Sequence, residues 1–148
     1  MFSTTCEYAL RALVRLAVMP NGDAVLGRDL ARHSDIPANY LSKILLTLRN
    51  AGILTTARGT GGGYRLRKPA ESIRLIEVVE LFDGARAKPA CLLGGKDCSD
   101  ENPCSAHEVW RAVRADYVAF LESTTLASIS QDRRNGTGHI PEGATATL

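Results

Sequence analysis

Between Leu41 and Arg67 an apolar stripe at helical spacing gives way to short β-branched segments around a run of glycines, a change that few small folds accommodate. Leu41, Ile44, Leu45 and Leu48 predict a helix from about Ala38 to Asn50, with Asn39, Ser42 and Lys43 on its outward face. Ala51 and Gly52 stop that helix, and Ile53 to Ala57 then reads as a strand. Arg58-Gly59-Thr60-Gly61-Gly62-Gly63 reads as a hairpin turn and Tyr64 to Arg67 as the returning strand. Upstream, Ser34-Asp35-Ile36-Pro37 joins a shorter helix, about Gly27 to Ser34, to the one that follows. Two helices around a tight turn, followed by a hairpin, predict a mainly α fold with a small β-hairpin, a winged helix-turn-helix.

The glycine run also suggests a phosphate loop, but no Gly-Lys-Ser/Thr follows, and Tyr64 stands where a dinucleotide fingerprint needs its last glycine. A glycine-rich tip flanked by Arg58, Arg65, Arg67 and Lys68 instead suits close approach to a duplex, with the cations meeting phosphates or entering a groove. Charge is sorted the same way. Residues Met1 to Lys68 carry ten Lys/Arg against four Asp/Glu, a net of +6, whereas Pro69 to Leu148 carry eight against twelve, a net of −4. The first half therefore suits a polyanion, although chance sorting of surface charge gives the same pattern.

Leu10, Leu13, Val14 and Ala17 predict a first helix from about Thr5 to Val18, started by a capping box of Thr4 and Glu7. Cys6 reads as a lone buried thiol on that helix. Ile76 to Phe82 predicts a short helix stopped by Asp83-Gly84, and residues 85–103, interrupted by Pro and Gly, read as loop. From Cys104 to about Glu122, Val109, Trp110, Val113, Tyr117, Phe120 and Leu121 predict a long amphipathic helix whose stripe is expected to be buried against a second copy of the chain, giving a homodimer, with packing inside one chain the alternative. The expected organisation is thus a DNA-binding domain over 1–84, a cluster-binding loop over 85–103, a dimerisation helix and short following helix over 104–130, and a flexible tail over 131–148.

No apolar run approaches the roughly 20 residues that span a bilayer, and Glu7, Arg11 and Arg15 interrupt anything resembling a signal peptide, so a cytoplasmic protein is expected. In a reducing compartment, three of four cysteines gathered between positions 91 and 104 point to a metal or redox site. Six residues separate Cys91 from Cys98, five separate Cys98 from Cys104, and two separate Cys104 from His107. Structural zinc uses tight Cys-x2-4-Cys knuckles, which are missing here, so the wider spacing favours an iron-sulfur cluster over zinc or simple thiol oxidation. His107, one helical turn from Cys104, is the candidate fourth ligand, and Glu7 from a partner subunit is the alternative. Nothing pairs carboxylates, a nucleophile with a base, or a cofactor loop, so neither an enzyme nor a small iron-sulfur electron carrier is the favoured reading.

Tyr8-Ala9-Leu10-Arg11-Ala12-Leu13, Ile36 to Leu41, the Arg58 to Tyr64 turn, the three cysteines and Thr124-Thr125-Leu126 together resemble the Rrf2 family of winged-helix iron-sulfur transcriptional regulators, the group containing IscR-, NsrR- and RirA-type proteins. The resemblance spans about Tyr8 to Ser128. It implies a regulator, expected to be a repressor, whose operator affinity follows a cluster near the dimer interface that senses iron, redox or nitric oxide status. It also implies that the outward face of the third helix reads the major groove while Arg58 enters the minor groove. The candidate DNA contacts are Asn39, Tyr40, Ser42, Lys43, Arg58, Gly59, Gly61 and Arg65. Ser42 stands where IscR-type members carry a glutamate that senses bases, so their operator preference does not transfer. IscR-type members pair three cysteines with a histidine placed as His107 is and hold 2Fe-2S; NsrR-type members use an acidic residue placed as Glu7 is and hold 4Fe-4S. The metal ligands expected here are Cys91, Cys98, Cys104 and His107, with 2Fe-2S favoured and 4Fe-4S the alternative.

Overall fold

The computed structural model describes residues 2–59, 62–87, 92–93 and 99–134. Helices α1 (Thr4–Ala17), α2 (Gly27–Ser34) and α3 (Ala38–Asn50) are followed by strands β1 (Leu54–Ala57) and β2 (Gly63–Leu66), then by α4 (Leu75–Asp83), α5 (His107–Ser123) and α6 (Leu126–Arg134). The helix-turn-helix and its antiparallel wing stand as the sequence predicts, with Leu54 opposite Leu66 and Ala57 opposite Gly63.

Helix α3 ends as its sequence dictates. Gly52 takes φ 76°, its N–H donates to Arg49 O, and the N–H of Ile53 donates to Leu48 O, both at 3.0 Å. This pair of bonds is a Schellman ending, closed by Leu48 and Ile53, which are both buried. Leu41, Ile44, Leu45 and Leu48 all lie in the main core, with Leu13 and Leu16 of α1, Leu30 of α2 and Leu54 of β1.

A second core joins α1, α4 and α5 through Cys6, Leu75, Ile76, Val79 and Leu121. The chain then returns to the first core. Leu75 N–H donates to Thr124 O at 3.0 Å and Leu126 N–H donates to Ile73 O at 2.7 Å, an antiparallel bridge of Arg74 with Thr125 that explains the Thr-Thr-Leu segment. Leu126 is fully buried among residues of α1, α3 and β1; burying a leucine contributes roughly 1.5–3 kcal/mol. Helix α6 continues past residue 131, where the tail was expected to begin; residues 135–148 lie outside the described residues.

Two expectations need correction. Helix α1 is capped by Ser3, whose Oγ accepts from Cys6 N–H at 3.2 Å, so Thr4 and Glu7 form no capping box. The backbone N–H of Ser3 donates to Asp83 Oδ2 at 2.9 Å and its hydroxyl to Asp83 Oδ1, leaving Glu7 exposed. Helix α5 begins at His107, because Cys104, Ser105 and Ala106 form a turn in which His107 N–H donates to Cys104 O at 3.0 Å.

The wing is fastened to the helix-turn-helix by backbone contact. Val25 and Tyr64 exchange both main-chain hydrogen bonds, at 2.9 and 2.8 Å. At the adjacent Gly63 (φ 147°) a Cβ would lie 2.3 Å from Val25 O and 2.4 Å from Val25 C. Only glycine fits there. Gly63→Ala should lower unfolding stability by about 3 kcal/mol or more, read from urea unfolding; a midpoint equal to wild type would mean that the wing does not pack here.

Candidate nucleic-acid interface and cysteine region

Asn39, Tyr40, Ser42 and Lys43 are all exposed on the first turns of α3. Ser42 Oγ donates back to Asn39 O at 2.9 Å, and Thr47 Oγ1 to Lys43 O at 3.0 Å, which leaves Asn39, Tyr40 and Lys43 as the reaching side chains of this face. Leu46, one turn further along and 47% exposed, belongs to the same face and was missed in the sequence reading. The signal was its spacing of three from Lys43 and seven from Asn39, which a search for polar residues passes over. An apolar group there suits contact with a thymine methyl.

Arg58 and Gly59 are exposed at the end of β1, and Arg65 is exposed on β2, directly opposite Thr55. Gly61 lies outside the described residues. Of the wing glycines, Gly59 (φ 99°) has no neighbour that a Cβ would meet, whereas a Cβ on Gly62 would lie 2.7 Å from Ala57 O. Gly62 and Gly63 therefore serve the chain's own packing, whereas Gly59 has open space around it beside the exposed Arg58. The N-termini of α2 and α3 have no side-chain cap, so no side-chain oxygen of the capping residue accepts from their first backbone N–H groups.

Of the candidate metal ligands, Cys91 and Cys98 lie outside the described residues, and among the described residues no three His, Cys, Asp or Glu groups converge. Cys104 is a half-buried free thiol. His107 is 5% exposed, and its Nε2 lies 2.8 Å from Asp100 Oδ1. Asp100 also lies 3.7 Å from Arg111 Nη1; the His107 hydrogen bond first, and the arginine charge second, hold its carboxyl below the usual range. A carboxylate fixing one ring nitrogen is the arrangement that orients metal-binding histidines. No spacing rule pointed to Asp100, since it lies in the loop and meets His107 only when that loop folds back.

Helix α5 divides its apolar stripe between two faces. Leu121 is fully buried in the second core, with Tyr117 and Val118 packed beside it. Val109 (71%), Val113 (52%) and Phe120 (52%) remain exposed, while Trp110 is half-buried. The first turn of the cysteine-bearing loop is clamped to this helix: Arg114 Nη2 donates to Ala85 O and Ala87 O, both at 3.1 Å, and Arg86 pairs with Glu122 at 2.7 Å.

A helix-turn-helix with an antiparallel wing and exposed arginines at the hairpin defines a winged-helix DNA-binding protein. Residues 2–132 match the Rrf2 family, described as an iron-dependent transcriptional regulator; the chain belongs to the Rrf2 family of transcriptional regulators, which are not enzymes. An HTH-type transcriptional regulator of Mycobacterium tuberculosis is 38% identical over 129 residues, covering 86% of this chain and 80% of that one. The HTH-type transcriptional regulator IscR of Cereibacter sphaeroides is 32% identical over 144 residues, covering 94% and 92%. The structure of CymR, the global cysteine regulator of B. subtilis, superposes with a TM-score of 0.76 at 24% identity, covering 88% and 96%, a likeness of fold. No helix among the described residues is long and apolar enough to cross a membrane.

Cys6 is the thiol that geometry removes from this chemistry. It is fully buried, and burial first, with Asp83 beside it second, pushes its pKa from 9.0 up to about 12. Below pH 9.0 it is neutral whether the chain is folded or not. As pH rises further the unfolded chain loses the proton while the folded one keeps it, so stability should fall between pH 9.0 and about 12. Cys6→Ala should remove that part of the slope in urea midpoints taken across the window. Parallel loss in both proteins would place Cys6 in contact with solvent.

Proposed function

We propose that this regulator binds its operator in the cytoplasm as a homodimer, acts as a repressor, and is controlled by an iron-sulfur cluster held by Cys91, Cys98, Cys104 and His107. The observation that carries the DNA half is the exposed Asn39–Leu46 face of α3 beside a wing presenting Arg58 and Arg65. The exposed Val109, Val113 and Phe120 of α5 supply the surface for a second copy, and a two-fold dimer would read half-sites about one helical turn apart. Arg58→Ala should weaken binding to the preferred sequence by roughly 1–3 kcal/mol, and Lys43→Ala or Arg65→Ala should act on all sequences and flatten the salt dependence. Mobility shifts that all three substitutions leave unchanged would remove the interface from this surface.

What supports the cluster reading is that Cys104 is a free, half-buried thiol three positions before His107, which Asp100 pins. When bound, such a cluster supplies a centre whose charge and integrity respond to oxidants, nitric oxide and iron supply. This chain's own residues fix where that response is felt, since Arg114 and Arg86 tie the loop's first turn to α5.

A second reading, regulation by thiol oxidation or zinc with no iron, is favoured by one observation: His107 already has its carboxylate partner and needs no metal to be satisfied. Anaerobic reconstitution with iron and sulfide separates the readings. Any of Cys91, Cys98 or Cys104→Ala should abolish the visible spectrum, and His107→Ala should make it labile while Glu7→Ala leaves it intact. Four irons per subunit with a dispensable His107 would select Glu7 and 4Fe-4S, and no bound iron would select the thiol or zinc reading.

A further inference from the structure

The turn between α2 and α3 is held from outside by α1. Asp35 follows α2 in the left-handed region, at φ 52° and ψ 55°, and among the described residues it is the one non-glycine residue with positive φ. A side chain is strained there, and the last carbonyls of a helix lack intrahelical partners. Arg11 answers both needs: its Nη1 donates to Ser34 O and to Asp35 O, each at 3.2 Å. The same guanidinium carbon lies 5.5 Å from the centre of the Tyr8 ring. Tyr8 in turn meets Tyr40 edge-on, with centroids 6.4 Å apart and planes at 82°. Tyr40 is 54% exposed on the first turn of α3.

We propose that Tyr8 and Arg11 are positioning residues for DNA recognition, which do not touch the duplex but set the angle at which α3 is presented and the direction of the Tyr40 side chain. The inference rests on α3 being the DNA-facing helix. Arg11 is half-buried and directs Nη1 at two main-chain acceptors of the turn, which fixes its guanidinium against the protein. Both bonds leave Nη1 while the guanidinium also lies over the Tyr8 ring, a combination of roles for which an ammonium is a poorer substitute. The edge-on ring pair restricts the side chain that leads α3 toward its target.

The test uses the full-length protein, a duplex selected by the wild type from a random pool, and an unrelated duplex of equal length. Arg11→Ala should weaken binding to the selected duplex about tenfold, while affinity for the unrelated duplex and the salt slope stay at wild-type values. Adding Asp35→Gly should restore most of the loss, because glycine adopts the turn without a cap. Tyr8→Leu should weaken selective binding only while Tyr40 is present, so that Tyr8→Leu/Tyr40→Ala equals Tyr40→Ala. Where Arg11→Ala does not fold, Arg11→Lys, which keeps the charge and loses the planar guanidinium, carries the same comparison with an intermediate loss. Equal loss on both duplexes with a shallower salt slope would make Arg11 a phosphate contact and overturn the proposal, as would wild-type selectivity in the Arg11 and Tyr8 variants. If Tyr40→Ala and Lys43→Ala also bind as wild type, the assignment of α3 fails; if they weaken binding while Arg11 and Tyr8 variants do not, positioning alone fails.

Discussion

Burial of α1 on two sides is the constraint on which the other elements depend. Ala9, Ala12, Leu13 and Leu16 face the core shared with α2, α3 and β1, while Cys6 and Leu10 face the one shared with α4 and α5. Cys6, Ala9 and Ala12 are small, so neighbouring elements approach closely, and interiors packed at crystal density transmit displacement rather than absorb it. A shift of α1 would therefore be felt both at the helix-turn-helix and at the base of the cysteine-bearing loop. Its N-terminus is tied to the end of α4 through Ser3 and Asp83, and its middle to the recognition turn through Arg11. One element thus connects the helix-turn-helix with the end of the molecule built from α4 and α5.

The parts of the fold legible in sequence were those decided by neighbours along the chain. The stripe Leu41, Ile44, Leu45, Leu48 and the stop at Gly52 predicted α3 to the residue, because helical periodicity and a left-handed cap are local properties. Misses arose where distant residues intervened. Ser3 caps α1 because Asp83, eighty positions away, accepts its N–H and hydroxyl. Cys104 stays outside α5, in the turn where its carbonyl receives the His107 amide. The α5 stripe read as one surface, yet Leu121 belongs to the interior and Val109 to the exterior; periodicity shows that a face is apolar without saying which molecule covers it.

At the candidate sites the same division holds. The outward residues of α3 and the wing arginines were visible as exposed polar positions on predicted elements, and the structure places Asn39, Ser42, Lys43, Arg58 and Arg65 at the surface. The glycine run was read for what it offers a ligand, whereas Gly62 and Gly63 are required by contacts inside the chain, to Ala57 and Val25. Asp100 was invisible because a loop carboxylate has no periodic signature, and only its meeting with His107 marks it. Leu46 was overlooked because an exposed leucine carries no chemistry until the face it shares is known.

The bridge between Arg74 and Thr125 gives the chain an unusual connectivity. Helix α6 completes the core that α1 to α3 begin and to which α4 contributes Val78, so the segment that joins α4 to α5 starts and ends on helices packed against that body. Changing the length of a segment held at both ends in this way carries little penalty, since doubling a flexible loop costs only about 0.6 kcal/mol in closure entropy. Descendants of such a chain could lengthen, shorten or re-space the intervening cysteines while the reading head kept its shape. Detection and recognition are then free to diverge at different rates within one small polypeptide.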